Sequence, residues 1–383
     1  VGTADIVIGG GGIIGLSAAL ELKQSGFKVK VIERGCFMSE ASWAAAGMLA
    51  AEDPEHPQEL ASLALLSRQL YPQYLSTIER LSRHPVPLRT RNTLQATRPN
   101  RESHSGFQSM ASATRRGIDA EEAARRVPGL SPGGRSFLWL EEASLDPRDL
   151  CLALPAAAAA AGVMLEEKVE VLAVDGEASS VEITTSAGRV SAGAFLNCCG
   201  AWAGTVKTSS SISRGSGISR GSGEATPEVE PRKGQMVTVS LTGLPNPIEN
   251  LVHVLRTPDV YLVPRGDGRI VVGATLERVG FDRRIESAAV DGLLALAASL
   301  WPPIATAPVV DRWVGLRPGT SDGLPLIGMA EAPNCWLATG HFRNGILLAP
   351  ATALVMRQAI EGSTPEIALG AFSIERLRAA RAC

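Results

Sequence analysis

The chain has 383 residues, more than one hydrophobic core ordinarily supports, so two domains or one domain with a large insertion are expected. Hydrophobic residues make up 45%, charged residues 20%, and the net charge is −2, which gives no electrostatic reason to expect nucleic acid or an acidic membrane as partner. A small-molecule ligand is the better expectation.

No basic leader followed by an apolar run opens the sequence, so no export signal is expected: "VGTADIVIGGGG" runs straight into glycines. The stretch from Asp5 to Gly35, "DIVIGGGGIIGLSAALELKQSGFKVKVIERG", reads as a buried strand, a glycine turn, an amphipathic helix opened by Ile13 and Ile14, and a second strand ending in Glu33 and Arg34. In this βαβ unit Gly10 permits the tight turn, Gly12 lets backbone approach a pyrophosphate, and Gly15 packs helix on strand. Glu33 stands where an acid accepts hydrogen bonds from ribose hydroxyls, and the helix N-terminus suits the pyrophosphate. Either FAD or NAD satisfies the unit. An NAD domain would continue with further βα units, whereas "SEASWAAAGMLAAEDPEHP" is small, polar and irregular, as a segment lying along an extended ligand would be.

Farther on, "DPRD" places Asp146 as N-cap and Pro147 at the first position of a helix over the apolar run Leu150 to Leu165, with Gly162 in its C-terminal turn. That run is too short for a bilayer and contains Pro155. The helix is expected to feed the strand "KVEVLAV". "RVSAGAFLNCCGAWAG" reads as a buried strand with a turn at its tip. Lys207 to Glu228, which repeats "ISRGSG" in tandem, reads as an exposed flexible insertion. "DVYLVPRGDGRIVVGATLE" reads as two strands joined at "GDG", with Tyr261 and Val263 on one face. In "VGLRPGTSDGLPLIG", Pro318 biases Arg317 toward extended backbone, and the guanidinium faces either a ligand anion or a salt bridge to Asp311 or Asp322. "TGHFRNGILLAPATALVM" is a turn running into an apolar helix, whose positive end points at whatever precedes Gly345. The six cysteines show no CxxC spacing and the five histidines no ligand spacing, so a reducing, cytoplasmic setting and no metal are expected.

Five blocks, "GGGIIGLSAALEL", "ASWAAAGMLA", "YLVPRGDGRIVVGAT", "GLRPGTSDGLPLIG" and "GHFRNGILLAPATA", resemble the glycine oxidases of thiamine biosynthesis, members of the D-amino-acid oxidase superfamily. The resemblance implies an α/β chain, α+β overall. Its Rossmann-like FAD domain would be assembled from residues 1–85, 145–225 and 310–383. An inserted substrate domain, 86–144 and 226–309, would carry a large, mainly antiparallel sheet. It further implies that Ser42, Ala45, Ala46, Gly47 and Met48 line the flavin and that Val171 meets the adenine. Gly200, Trp202, Arg317, His341, Arg343, Asn344, Gly345 and Ile346 would complete the cofactor contacts, with Arg34 beside Glu33.

The implied reaction takes glycine, dioxygen and water to glyoxylate, ammonia and hydrogen peroxide, by hydride transfer to flavin N5 with no side-chain acid or base. Arg317 would hold the substrate carboxylate, helped by the Tyr261 hydroxyl and by the more distant charge of Arg343. The implied partners are a small amine and dioxygen, with homo-oligomerisation left open. Sarcosine oxidases attach FAD through a cysteine on the strand that here reads "VGLRPGT"; no cysteine stands there, so FAD is expected without a covalent bond. Three departures from the family pattern stand out: Gly9, which implies a looser turn, the insertion Lys207 to Glu228, and "RTPD" before Tyr261, which bears on substrate preference. A sarcosine or D-amino-acid oxidase or dehydrogenase of the same fold, and a non-catalytic nucleotide-binding protein, are the alternatives.

Overall fold

The computed structural model describes residues 4–97, 114–210, 227–242 and 251–377. The strand Ala4–Gly9, buried except at Asp5, is covered on both faces as parallel strands are. It pairs in parallel with Val29–Glu33 on one side and with Gly188–Asn197 on the other. Among the described residues these strands belong to a nine-stranded sheet. Helix Ile13–Gln24 closes the βαβ unit and packs against Pro147–Ala160 and Gly345–Ile360, in a core that includes Leu16, Leu154 and Leu348. The helix Pro147–Ala160 starts as its sequence dictates, with the Asp146 side chain accepting from Arg148 N at 3.0 Å. A strand not anticipated, Met164–Glu167, then joins the sheet beside Val29–Glu33 before the expected one, Val171–Gly176.

A second sheet has eight strands among the described residues, and its pairings are antiparallel except that of Val254–Arg256 with Thr93–Ala96. Alternation splits its residues between two layers. Leu255, Leu262 and Val272 pack with the helix Ser287–Leu300 through Val290 and Leu293, while Met236, Tyr261, Val263 and Trp313 pack on Ala44 and Ala46 of the segment after the second strand. That contact brings the two sheets around one cleft.

Three expectations need correction. The strand Val309–Gly319, expected with the cofactor segments from residue 310, belongs to the eight-stranded sheet, because it pairs along almost its whole length with Glu230–Ser240. Lys207–Ser210, expected inside the flexible insertion, is a strand paired in parallel with Val171–Gly176; an open sheet edge recruits even this Ser/Thr-rich stretch. The rest of the repeat tract, 211–226, lies outside the described residues. Finally, the turn at Gly9 is not loose. A Cβ there would come 2.9 Å from the ring of Phe195, which fills the space a larger residue would take. No helix among the described residues is long and apolar enough to cross a membrane, and none of their His, Cys, Asp and Glu side chains cluster as a metal site would require.

Candidate active site

One end of the cleft is built by the first βαβ unit. Gly10 has φ +99°, and a Cβ there would lie 2.3 Å from the carbonyl oxygen of Cys198, so this turn admits glycine alone. Gly12 precedes the helix Ile13–Gln24, which has no side-chain N-cap and no acid in its first turn; Ile13 N donates to Ser42 Oγ at 2.9 Å. Such a helix start offers its amides to an anion. The Glu33 carboxylate braces the turn, accepting from Gly11 N and Gly35 N, each at 2.7 Å, and with Gly10, Arg34, Val171, Gly200 and Trp202 it walls a cavity of about 650 Å³. Arg34 lies 3.5 Å above the Trp202 ring and pairs with Glu40 at 3.3 Å. Gly15 lines no part of the cleft. A Cβ there would meet the Gly10 carbonyl at 2.0 Å, so its work is close packing of helix on turn.

A larger cavity, about 1010 Å³, shares Gly12, Ala41, Ser42, Cys198 and Gly200 with the first, so the two run end to end. One wall is formed by Ile13 and Ile14, then Ala45, Ala46, Gly47 and Met48. Arg265, buried at the tip of the "GDG" hairpin, fixes this wall by donating to the carbonyls of Ala46 at 2.9 Å and Leu145 at 3.0 Å. The facing wall includes Met236 and Tyr261, which lie in a row across the second sheet. Trp313, Met236, Gly273, Tyr261 and Arg256 are successive cross-strand partners, so they share a face. The Tyr261 ring leans over Gly273, where a Cβ would meet its hydroxyl at 2.5 Å, and its hydroxyl reaches Met236 Sδ at 3.6 Å.

Arg317 projects from the edge strand into the same cavity. Its guanidinium occupies the space beside Gly234, where a Cβ would approach Nη1 to 2.2 Å. Nη1 donates to the Thr275 carbonyl at 3.0 Å, and the Tyr261 hydroxyl oxygen stands beside the guanidinium as a further acceptor. Burial and the nearby Arg343 hold its pKa below the usual guanidinium value, with Tyr261 acting in the opposite sense. The salt-bridge alternatives are taken: Asp311 pairs with Arg148 at 3.0 Å and Asp322 with Arg376 at 2.7 Å. Among the described residues Arg317 has no carboxylate within salt-bridge distance.

The third side is the start of helix Gly345–Ile360. His341, Arg343, Gly345 and Ile346 border the cavity. His341 Nε2 bonds the Thr352 hydroxyl at 3.0 Å, and burial lowers the ring's pKa to about 3, so the imidazole is neutral. Asn344 is absent from the wall; its side chain lies toward His56.

The family profile described as FAD dependent oxidoreductase matches residues 5–359, nearly the whole chain. The chain belongs to the FAD-dependent oxidoreductase family. It is 34% identical to the bifunctional protein ThiO/ThiG of Trichormus variabilis over 98% of its own length and 55% of that relative, so it spans about half of the bifunctional protein. It is 31% identical to a glycine oxidase of Geobacillus kaustophilus over 97% of each chain. The crystal structure of glycine oxidase from Geobacillus kaustophilus matches with a TM-score of 0.86 at 31% identity, covering 98% of this chain and 99% of that one.

The residues fit the family's cofactor. FAD is long and has a pyrophosphate at its middle, and the two joined cavities meet at the start of helix Ile13–Gln24 beside Gly12, where a Cβ would come 3.2 Å from Ser42 Oγ. Sequence reasoning missed Gly234 and Met236, which line the cavity beside Arg317 and Tyr261, and Gly273, over which the Tyr261 ring leans. The available signal was glycine inside an apolar strand, which marks a close approach by another group.

Proposed function

We propose that this chain is an FAD-dependent glycine oxidase that converts glycine, dioxygen and water to glyoxylate, ammonia and hydrogen peroxide and serves thiazole formation in thiamine biosynthesis. Bound FAD supplies the two-electron acceptor and returns the electrons to dioxygen. The observation that carries the reading is Arg317, a guanidinium bordering the cleft beside Tyr261 with no carboxylate partner among the described residues. A substrate carboxylate completes it, held by both oxygens in a fork that fixes the amine's orientation. Tyr261 adds a hydroxyl and Arg343 a second positive charge. The start of helix Gly345–Ile360 turns its positive end to the cavity, favouring negative charge on whatever lies against it. His341 is neutral and engaged with Thr352, so the protein's part is binding and orientation rather than proton transfer through this ring.

The same reading divides the chain into a cofactor domain built on the nine-stranded sheet and a substrate domain built on the eight-stranded sheet, with Val309–Gly319 in the latter. Gly10, Gly12, Glu33, Arg34, Val171, Gly200 and Trp202 take the nucleotide end of FAD. Ser42, Ala45 to Met48, His341, Gly345 and Ile346 take the flavin end. A cytoplasmic setting is part of the proposal, supported by the free thiols of Cys36, Cys151, Cys198, Cys199 and Cys335. Anaerobic mixing of the yellow protein with glycine, sarcosine, D-alanine and D-proline tests it. Glycine should bleach the flavin. Bleaching by another amine but not by glycine would assign a different oxidase, and bleaching by none would remove the enzyme reading.

A further inference from the structure

The acceptor for Arg317, the Thr275 carbonyl, belongs to a segment anchored by an ion pair between a fully buried lysine and a half-buried glutamate that the reaction itself does not use. Thr275 is fixed on both sides: Gln235 N donates to its Oγ1 at 2.8 Å, and its hydroxyl donates to Glu277 Oε1 at 2.5 Å. Gln235 Nε2 donates to the same carboxylate oxygen at 2.9 Å, and Lys233 Nζ lies 3.1 Å from the other. The backbones of Lys233 and Glu277 exchange two hydrogen bonds of 3.0 Å. Alternation on the strand Glu230–Ser240 explains the arrangement: Lys233 and Gln235 point away from the cleft and grip Glu277, while Gly234 between them opens the cleft-side space that the guanidinium fills. The Lys233 side chain has 0% exposure, and a lysine is almost never fully buried unless paired. Burial works against its charge, but the carboxylates of Glu277 and, at 3.6 Å, Glu286 keep its pKa above the ordinary value. The far end of the segment is pinned too, with Phe281 stacked on Trp202 at 5.2 Å and Arg283 paired with Glu40.

We infer that Glu277, clamped by Lys233 and Gln235, is a positioning residue for the substrate arginine: it fixes Thr275, whose carbonyl aims the Arg317 guanidinium into the cleft. The inference rests on the reading of Arg317 as the carboxylate holder. Acetate, a carboxylate without an amine, is titrated into the holoenzyme and its variants and followed by flavin absorbance, alongside steady-state glycine oxidation. Glu277→Ala should weaken acetate binding on the order of tenfold and raise the KM for glycine with little change in kcat, at native flavin content. In an Arg317→Ala background the same change should have no further effect. Thr275→Val, which keeps the carbonyl but loses the hydroxyl link, should shift acetate binding in the same direction by less, and it decides the matter if Glu277→Ala does not fold. Native acetate binding in a folded, flavin-loaded Glu277→Ala or Thr275→Val protein overturns the inference, as do losses additive with Arg317→Ala. If Arg317→Ala alone leaves acetate and glycine binding untouched, the reading of Arg317 itself fails.

Discussion

At the end proposed for the nucleotide, the cleft is organised around a local stretch of sequence, the glycine turn Gly10 to Gly12 braced by Glu33 at the end of the next strand, with Arg34, Val171, Gly200 and Trp202 closing it from other segments. At its other end it is walled by side chains on strands far apart in the chain, Met236, Tyr261 and Arg317, brought together by the register of the second sheet. The first kind of wall makes a helix terminus and amides available to a phosphate whatever side chains surround them. The second makes recognition depend on one guanidinium and on the glycines that leave room for it. Substitutions should therefore separate cleanly: changes at the turn affect cofactor retention, and changes in the row affect the substrate.

The largest expected effect is at the substrate end. Arg317→Ala should weaken glycine binding by about 2–5 kcal/mol, as for truncating one partner of a buried charge pair, and Arg317→Lys should restore only part of it. Stopped-flow flavin reduction at graded glycine concentrations reads this, and flavin content should stay native. Next comes pH. Burial lowers His56, whose partner Asn344 adjoins the substrate end, from 6.5 to about 4, although Asp53 pulls the other way. The unfolded chain takes up the proton near pH 6.5 and the folded one resists it until about 4, so stability should fall as pH drops through that window, by on the order of 3 kcal/mol in all. Melting temperatures from pH 7 to pH 4 measure it. His56→Gln should flatten the slope, and an unchanged slope would show that another group titrates.

At the nucleotide end, Gly10→Ala forces a side chain onto φ +99° and against the Cys198 carbonyl, which should cost about 1–3 kcal/mol and appear as weaker FAD binding in reconstitution titrations. The smallest effect concerns attachment. Acid precipitation should release all the flavin into a yellow supernatant, since the strand Val309–Gly319 holds no cysteine.

The first βαβ unit was legible because its signals are local: strand, glycine turn, helix and acid follow one another in order, and each has its own steric reason. The Asp146–Pro147 helix start and the Tyr261 hairpin were legible on the same ground. Tertiary pairing was not. Nothing in "VVDRWVGLRPG" says which sheet it joins, because its partner strand lies some 80 residues earlier, as the pairing of Val309 with Val239 and of Gly319 with Glu230 shows. Lys207–Ser210 reads as loop by composition and becomes a strand only because a sheet edge is open beside it. The Asn344 side chain lies toward His56, from a segment with no sequence link to it. Arg317 stood out as a lone cation among glycines and prolines, but its seat at Gly234 and its acceptor at Thr275 emerge only when the sheet is assembled.

Gly234→Ala tests the division of labour most directly. Its added Cβ meets the flexible end of Arg317 rather than backbone, so the guanidinium should swing out of its seat while the fold and the nucleotide end stay as they are. FAD affinity and the glycine dependence of anaerobic flavin reduction are measured on one preparation. The account predicts native FAD affinity and a glycine requirement raised at least tenfold, the effect of losing about 1.4 kcal/mol of binding. Glycine saturation at the native concentration would contradict it, and so would loss of FAD from a protein that otherwise folds normally.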